Sequence, residues 1–316
     1  LKFLFLMATA GSRDATENLP LRCKQPNADR SGTRIMFFVQ ITDTHIEAPG
    51  DLAYGRFDTA QNLRAAVEAI NNMQPAPDLV LHTGDIAHHG SSERYRYFIE
   101  IVADLKLPLF AVPGNHDNRG RFREAFKDTD WMPDDGTFLH YVIEDHDVRV
   151  ICCDSVLEGR VQGGFCSERL SWIDDQLSAA SDKPTIVALH HPPFGSGMSG
   201  STSNGLVEGG SAFAAILRRH SQVVRVIAGH AHRPFTCAFG GTIGYAAPTT
   251  CYPFALEMGS EKILSIIDEP PAISVHLWME DTGVGEPGLV THTLPIGDWG
   301  EPTILLRDGK RVLPAT

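Results

Sequence analysis

Short apolar runs alternate with helix-type patterns along the central part of the chain. Six runs are rich in Val, Ile and Phe, as strands buried on both faces usually are: residues 35–42, 78–83, 107–113, 148–154, 184–190 and 223–229. Apolar residues at helical spacing predict helices between them: residues 59–72, 92–105, 121–127, 167–180 and 211–220. This alternation predicts an α/β layered fold.

Two segments depart from the alternation. Residues 192–210 are rich in Gly and Ser, which predicts a long mobile loop of the kind that often serves function. After Thr236 the pattern becomes β-rich, with Gly/Pro turns between short apolar runs, and predicts a second sheet of hairpins and meanders. The runs are residues 239–247, 262–268, 273–279 and 289–294.

The formal net charge of −12 argues against binding to long nucleic acids, which need a basic surface. A small phosphate ester remains possible as a ligand, because bound cations can make the local electrostatic potential positive. No run reaches the roughly 18–20 apolar residues of a membrane span. The six cysteines form no C-x-x-C pair and indicate free thiols in a reducing compartment, so we expect a cytoplasmic protein.

The N-terminal residues 1–34 show no periodicity, and we expect a leader that is disordered or derived from cloning. Residues 1–12 have one Lys, a short apolar run and small residues at the end, as a truncated signal peptide would. A periplasmic origin is therefore the alternative location.

Residues of the metal-ligand type follow five of the predicted strands. In open α/β sheets the ligand crevice lies at the carboxyl ends of the strands, so these residues should converge. Carboxylate, imidazole and amide oxygen without thiolate suit Mn, Fe, Zn or Co. The residues are Asp43, His45, Asp85, Asn115, His116, His190, His230 and His232.

These blocks, in order, resemble the pattern D-x-H, G-D, G-N-H, H and G-H-x-H of the calcineurin-like metallophosphoesterase superfamily. They extend over residues 41–232, well over half the chain. The resemblance implies a four-layer α/β/β/α sandwich, in which helices flank two mixed β-sheets. It also implies a catalytic domain over 35–260, with a β-rich extension over 261–316 that completes or caps the second sheet.

The finer spelling narrows the resemblance. Residues 84–88 read Gly-Asp-Ile-Ala-His and lack both the Tyr of purple acid phosphatases and the G-D-x-x-D-R-G of Ser/Thr phosphatases. Residues 114–117 read Gly-Asn-His-Asp, with Asp where both groups usually have Glu. This spelling is similar to that of class III cyclic-nucleotide phosphodiesterases and of related bacterial glycerophosphodiesterases.

The resemblance also implies a role for each residue. Two transition-metal ions are expected, and the ligands of the first would be Asp43, His45 and His232. The ligands of the second would be Asn115, His190 and His230. Asp85 would bridge both ions, whereas His116 would face the substrate as a catalytic residue. His190 is chosen over His191 because the first His of the family's H-x-P is the ligand.

The expected reaction is attack of a metal-bridging hydroxide on a small phosphodiester, a glycerophosphodiester or a 3′,5′-cyclic nucleotide, with His116 assisting the leaving group. Predicted substrate contacts are His88, His191 and Tyr54. Alternatives are a phosphomonoesterase, a nuclease or a broad-specificity phosphatase of the same superfamily, and a non-catalytic scaffold on the same fold. The sequence leaves open which diester is used, and whether the chain forms a homo-oligomer.

Overall fold

The computed structural model describes residues 36–200, 205–300 and 302–312. The leader predicted over 1–34 lies outside these residues. The described strands are β1 (Phe37–Ile41), β2 (Leu79–His82), β3 (Leu109–Ala111), β4 (Tyr141–Ile143), β5 (Arg149–Cys153), β6 (Gly163–Gly164), β7 (Thr185–Leu189), β8 (Leu206–Glu208), β9 (Val223–Ala228), β10 (Phe235–Phe239), β11 (Thr242–Ala246), β12 (Ala272–Met279), β13 (Gly288–Pro295), β14 (Leu306–Arg307) and β15 (Lys310–Arg311). The described α-helices are α1 (Thr59–Asn71), α2 (Ser92–Val102), α3 (Arg119–Phe126), α4 (Ser167–Ala179) and α5 (Gly210–Leu217).

All six predicted strands and all five predicted helices form, with ends that differ by a few residues. Side-chain caps fix three helix starts by accepting a bond from an otherwise unpaired backbone N–H. Asp58 caps α1 (2.8 Å to the N of Gln61) and Ser91 caps α2. Helix α3 begins two residues before its predicted start, because Asn118 caps it there.

The first sheet has the strand order β13-β12-β1-β2-β3. Strands β1, β2 and β3 are parallel, and β12 and β13 add in antiparallel fashion, so the sheet is mixed. Val39 and Val80 lie in one apolar cluster with Leu63 of α1, Phe98 of α2 and Phe122 of α3. Helices α1 to α3 therefore cover the outer face of this sheet.

The second sheet has the order β10-β11-β9-β7-β5-β4 and is also mixed. Its outer face packs on α4 and α5, where Val187 lies in one cluster with Ile173 and Phe213. The inner faces of the two sheets meet in a third cluster that includes Phe38 and Ile186. Side chains alternate along each strand between these clusters. The four-layer α/β/β/α prediction is confirmed.

The neighbouring cysteines Cys152 and Cys153 follow the same alternation. Cys152 lies between the sheets and Cys153 lies on the helix side, and both are buried free thiols. Burial raises the pKa of the Cys152 thiol to about 12 and also raises that of Cys153. Both therefore serve as packing residues.

Apart from the short hairpin of β14 and β15, the described strands after Thr236 join the two main sheets. Strands β10 and β11 extend the second sheet beyond β9, whereas β12 and β13 extend the first sheet beyond β1. The expectation that the residues after 260 complete or cap the second sheet is therefore wrong for β12 and β13. Strand periodicity marks a strand, but pairing partners follow from tertiary packing, which also supplies β1 with a neighbour. The division at residue 260 stays a prediction.

Two other expectations need correction. Residues 262–268 form no strand; the described chain has only an isolated bridge there, between Phe254 and Ile266. The predicted loop over 192–210 contains β8, which pairs in parallel with β6. Among the described residues, no helix is long and apolar enough to cross a membrane.

Candidate metal centre

The predicted ligands come together where five strands end. Asp43 and His45 follow β1, Asp85 follows β2 and Asn115 follows β3 of the first sheet, and the remaining ligands follow β7 and β9 of the second. The strand ends of the two sheets thus supply opposite sides of one site. The residues from the second sheet are His190, His230 and His232.

Asp43, His45 and His232 form the first cluster, and their side chains are buried. The Nε2 atoms of His45 and His232 lie 3.0 Å apart, and Nε2 of His232 lies 3.4 Å from Oδ1 of Asp43. Nε2 of His45 lies 4.0 Å from the same oxygen. Three potential ligand atoms therefore face one point.

The second cluster centres on His190. Its Nε2 lies 3.2 Å from Oδ1 of Asn115 and 3.2 Å from Nδ1 of His230. Oδ2 of Asp85 lies 3.3 Å from this Nε2 and 3.7 Å from Nε2 of His45. A single carboxylate oxygen thus lies between the two clusters, where a bridging ligand would have to be.

Hydrogen bonds outside the clusters orient two of the imidazoles. Nδ1 of His190 lies 2.8 Å from the carbonyl oxygen of Thr83, and Nδ1 of His232 lies 2.8 Å from that of Tyr252. A carbonyl only accepts, so in both rings the proton resides on Nδ1 and Nε2 presents a lone pair. In their neutral forms these imidazoles point lone pairs at one another and at carboxylates, an arrangement that a bound cation, or a proton in its absence, stabilises.

The charges in the site also favour a cation. Burial disfavours a charged imidazole at His190, but the Asp85 carboxylate outweighs it and raises the pKa of His190 to about 9. Burial likewise opposes ionisation of Asp43, yet His232 holds the pKa of this carboxyl well below its usual range. The carboxylates are thus held ionised, and they favour positive charge on the groups that lie beside them. The donor set therefore fits two metal ions, without thiolates.

Five of the seven predicted ligands have a left-handed backbone, which non-glycine residues seldom adopt. The φ angles are 53° for Asp43, 41° for His45, 56° for Asp85, 67° for His230 and 51° for His232. Residues held in this region concentrate at functional sites, because the surroundings must compensate a cost of about 1–3 kcal/mol each. The fold compensates this cost at the ends of its strands.

Glycines let the loops approach one another closely. A Cβ atom on Gly229 would lie 2.1 Å from Oγ1 of Thr42, and one on Gly114 would lie 2.2 Å from Oδ1 of Asp85. A Cβ on Gly84 would lie 2.5 Å from Nδ1 of His190. The glycine that precedes a ligand thus makes room for a ligand, or its neighbour, from another loop.

Asp117 ties the loop after β2 to the loop after β3. Its carboxylate accepts hydrogen bonds from the backbone N–H groups of Gly114 (2.9 Å), Ile86 (3.2 Å) and Ala87 (3.3 Å). The Tyr95 hydroxyl of α2 donates a fourth bond of 2.8 Å. Burial raises the pKa of Asp117 to about 6. Asp117 therefore orients the two loops that carry Asp85 and Asn115.

His116 lies beside the clusters. Its backbone N–H donates to Oδ1 of Asp85 (2.8 Å), and its half-buried ring meets that of His45 edge-on at 4.7 Å. It also stacks on the ring of His88 at 4.8 Å. Tyr54 is 67% exposed, at the rim, and its ring lies 6.4 Å from that of His88.

His191 is in a position that does not suit the predicted substrate contact. The side chain is fully buried, its Nδ1 lies 2.8 Å from Oγ of Ser155, and its Nε2 lies 3.1 Å from the carbonyl oxygen of Val161. Both ring nitrogens are therefore engaged with the protein. The ring packs edge-on against that of His190 at 4.8 Å, which makes His191 a support for a ligand.

Two aromatic residues near the first cluster were missed. The ring of Tyr252 stacks on that of His45 at 5.4 Å, and the ring of Phe254 stacks on that of His232 at 4.2 Å. Both follow β11 in a segment outside the five motif blocks. The only sequence signal was a pair of aromatics just after a strand, which is too common to indicate a site.

A cavity of about 130 Å³ adjoins His230. Its walls expose polar and apolar atoms in similar proportion and come from the segment after β7, from β8 and from the start of β10. Among the lining residues are Pro193, Phe194, Leu206 and Phe235. The cavity therefore offers room for an uncharged group next to the second cluster.

Comparison with known proteins agrees with this geometry. Residues 36–234 match the family model described as calcineurin-like phosphoesterase. A probable glycerophosphodiester phosphodiesterase of Arcobacter nitrofigilis is 36% identical over 267 residues, which cover 84% of this chain and 96% of that protein. A 3′,5′-cyclic adenosine monophosphate phosphodiesterase of Escherichia coli K12 is 30% identical over 72% of this chain and 80% of its own length.

Solved structures share the fold at low sequence identity. A dimetal phosphatase from Danio rerio aligns with a TM-score of 0.56 and 16% identity, over 83% of this chain and 99% of that one. The predicted superfamily and its branch are confirmed by these matches together with the relatives above. The chain is a hydrolase and belongs to the calcineurin-like phosphoesterase family.

Proposed function

We propose that this protein is a two-metal phosphodiesterase for small phosphodiesters, either glycerophosphodiesters or 3′,5′-cyclic nucleotides. The observation that carries the proposal is the pair of ligand clusters with Asp85 between them. The names of the relatives from A. nitrofigilis and E. coli support the two substrate classes. The net charge of −12 supports a small substrate over a long nucleic acid.

Each ion would have three ligands of its own and would share Asp85. We assign to the first ion Asp43, His45 and His232. We assign to the second ion Asn115, His190 and His230. These nitrogen and oxygen donors suit Mn, Fe, Zn or Co. When bound, two such ions lower the pKa of a coordinated water and neutralise the phosphoryl oxygens.

His116 is the residue we assign to proton transfer. In the reaction a water oxygen bonds to phosphorus, one P–O bond breaks, and the leaving alkoxide must gain a proton. A protonated imidazole can supply it, and the products are an alcohol and a phosphomonoester. The position of His116, fixed through its backbone by Asp85 and half-buried beside His45, supports this role.

We propose that the cavity beside His230 binds one of the two alcohol groups of the diester. Walls such as Phe194 and Leu206 suit the uncharged part of an alcohol better than a second phosphate. Gly195, Ser196 and Gly205 of the Gly/Ser-rich segment form part of this wall. Tyr54, exposed at the rim, is a further proposed substrate contact.

Two alternatives predict different behaviour. A phosphomonoesterase would have the same ligands but would prefer monoesters. A non-catalytic scaffold would bind no metal, and the complete ligand set opposes it.

A substrate panel with the metal-reconstituted protein tests the proposal. The substrates are bis-p-nitrophenyl phosphate, p-nitrophenyl phosphate, cyclic AMP and glycerophosphocholine, and Asp85→Ala gives the background. We expect bis-p-nitrophenyl phosphate to be hydrolysed faster than p-nitrophenyl phosphate. We also expect hydrolysis of at least one of the two natural diesters, cyclic AMP or glycerophosphocholine. Faster hydrolysis of the monoester would favour a phosphomonoesterase. No hydrolysis and no bound metal would favour the scaffold.

A further inference from the structure

His45 differs from His190 and His232 in the group that faces its Nδ1 atom. Backbone carbonyls face the Nδ1 atoms of His190 and His232. Nδ1 of His45 instead faces a side chain, at 3.4 Å from Nδ1 of His88. Because Nε2 of His45 points into the first cluster, its proton resides on Nδ1 and His88 must accept it.

A fixed carboxylate defines the state of the His88 ring. Oε2 of Glu47 accepts two bonds from Arg94, at 2.8 and 3.1 Å from Nη2 and Nε. The other oxygen, Oε1, faces Nε2 of His88 at 3.8 Å. The attraction between this carboxylate and an N–H favours the proton on Nε2 of His88, which leaves Nδ1 bare. All three side chains are at most 20% exposed.

The same ring also supports the proposed proton donor. The rings of His88 and His116 stack with an interplanar angle of 25° at 4.8 Å. One side chain thus contacts a proposed ligand on one side and the proposed acid on the other.

We propose that His88, oriented by Glu47 and Arg94, is a positioning residue that sets the tautomer and direction of the metal ligand His45. This role replaces the substrate contact predicted for His88, and it rests on the proposed metal centre. Partners of this kind are part of most metal sites, since the second nitrogen of a ligand histidine needs a defined acceptor. Here the acceptor is a side chain, so a substitution can remove it.

Metal affinity tests the proposal without use of turnover. Metal-free wild type, His88→Ala, His88→Asn and His89→Ala would each be titrated with Mn²⁺ by isothermal calorimetry. For His88→Ala we expect one of the two sites to weaken about 10- to 100-fold, the usual effect of losing such a partner. His88→Asn should keep most of the affinity, because its amide oxygen can accept from Nδ1 of His45. His89→Ala removes an exposed neighbouring imidazole and should resemble the wild type.

Several results would overturn the proposal. Unchanged affinity at both sites in His88→Ala, with a raised KM, would make His88 a substrate contact. Binding of three ions by the wild type would make it a ligand, since the nitrogens of His45, His88 and His116 lie within 4.8 Å of one another. If His88→Ala does not fold, Glu47→Gln takes its place in the titration. Wild-type metal affinity in Glu47→Gln would contradict the proposal that Glu47 and His88 orient His45. A wild type that binds no metal would instead refute the proposed function.

Discussion

Histidines are buried in two polar regions of this protein, the metal centre and the interface between the sheets. Between the sheets, Nε2 of His276 lies 3.1 Å from Oε1 of Gln40, and Nδ1 lies 2.9 Å from Oγ1 of Thr291. The amide nitrogen of Gln40 donates to Oγ1 of Thr83 (2.8 Å) and to the carbonyl of Ala228. Every polar side-chain atom of His276 and Gln40 therefore has a partner.

His276 and His190 differ in the charge that lies beside the buried ring. Burial lowers the pKa of His276 to about 3, so this ring is neutral. At His190 the nearby Asp85 outweighs burial, and the pKa is about 9. Thr83 contacts both regions, since its hydroxyl accepts from Gln40 and its carbonyl faces His190. Burial of polar side chains thus does not by itself indicate a metal site. The indication comes from several ligand-type atoms that face one another, as they do around Asp85.

Among the three substitutions that compare these regions, loss of Asp85 should have the largest effect on diesterase activity. Asp85→Ala removes a carboxylate oxygen that lies 3.7 Å from Nε2 of His45 and 3.3 Å from Nε2 of His190. We expect diesterase activity to fall by about 10³-fold or more, since the Lewis-acid contribution amounts to several kcal/mol. Turnover of bis-p-nitrophenyl phosphate after chelation and metal add-back measures it. Wild-type turnover in the variant would refute the bridging role.

Loss of His116 should separate proton transfer from metal binding. Because general acid catalysis contributes about 10²–10⁴-fold, His116→Ala should slow esters with poor leaving groups by this order. Hydrolysis of p-nitrophenyl esters should suffer less, because p-nitrophenolate leaves without a proton. Rates on glycerophosphocholine and bis-p-nitrophenyl phosphate give the comparison, with bound metal as a control. Equal losses on both substrates would remove the general-acid role.

Loss of His276 should have the smallest effect and should leave activity intact. The folded protein keeps this ring neutral down to about pH 3, whereas the unfolded chain takes up a proton near the ordinary value of 6.5. Stability is therefore lost as the pH falls from 6.5 towards 3. Between pH 7 and pH 5 this loss is about 2 kcal/mol for one such group.

In His276→Gln the contribution of His276 to the pH dependence of stability should disappear. His82 and His140 should keep their contributions, since burial lowers their pKa values to about 3 and about 4. Urea unfolding at pH 7 and pH 5 with EDTA measures the difference. An unchanged slope in the variant, or a loss of diesterase activity at neutral pH, would contradict the separation of the two regions.

Much of the fold and of the ligand set could be predicted because both depend on local patterns. Apolar runs marked β1 and β7, and a strand end in an α/β sheet is where Asp43 or His190 can meet other loops. Sheet membership of β12 could not be predicted, because period-two alternation is the same on either sheet. The groups that orient the ligand histidines could not be predicted either. Tyr252 contacts Nδ1 of His232 through its backbone carbonyl, and His88 contacts Nδ1 of His45 through its ring, and neither residue belongs to a motif.

A titration of the metal-free wild type with Mn²⁺ tests the central claim most directly. Bound metal would be counted after dialysis by mass spectrometry, and hydrolysis of bis-p-nitrophenyl phosphate would be followed at each point. The two clusters around Asp85 predict that two ions bind per chain and that activity follows occupation of the second. Full diesterase activity in the metal-free protein, or with one ion per chain, would contradict the account.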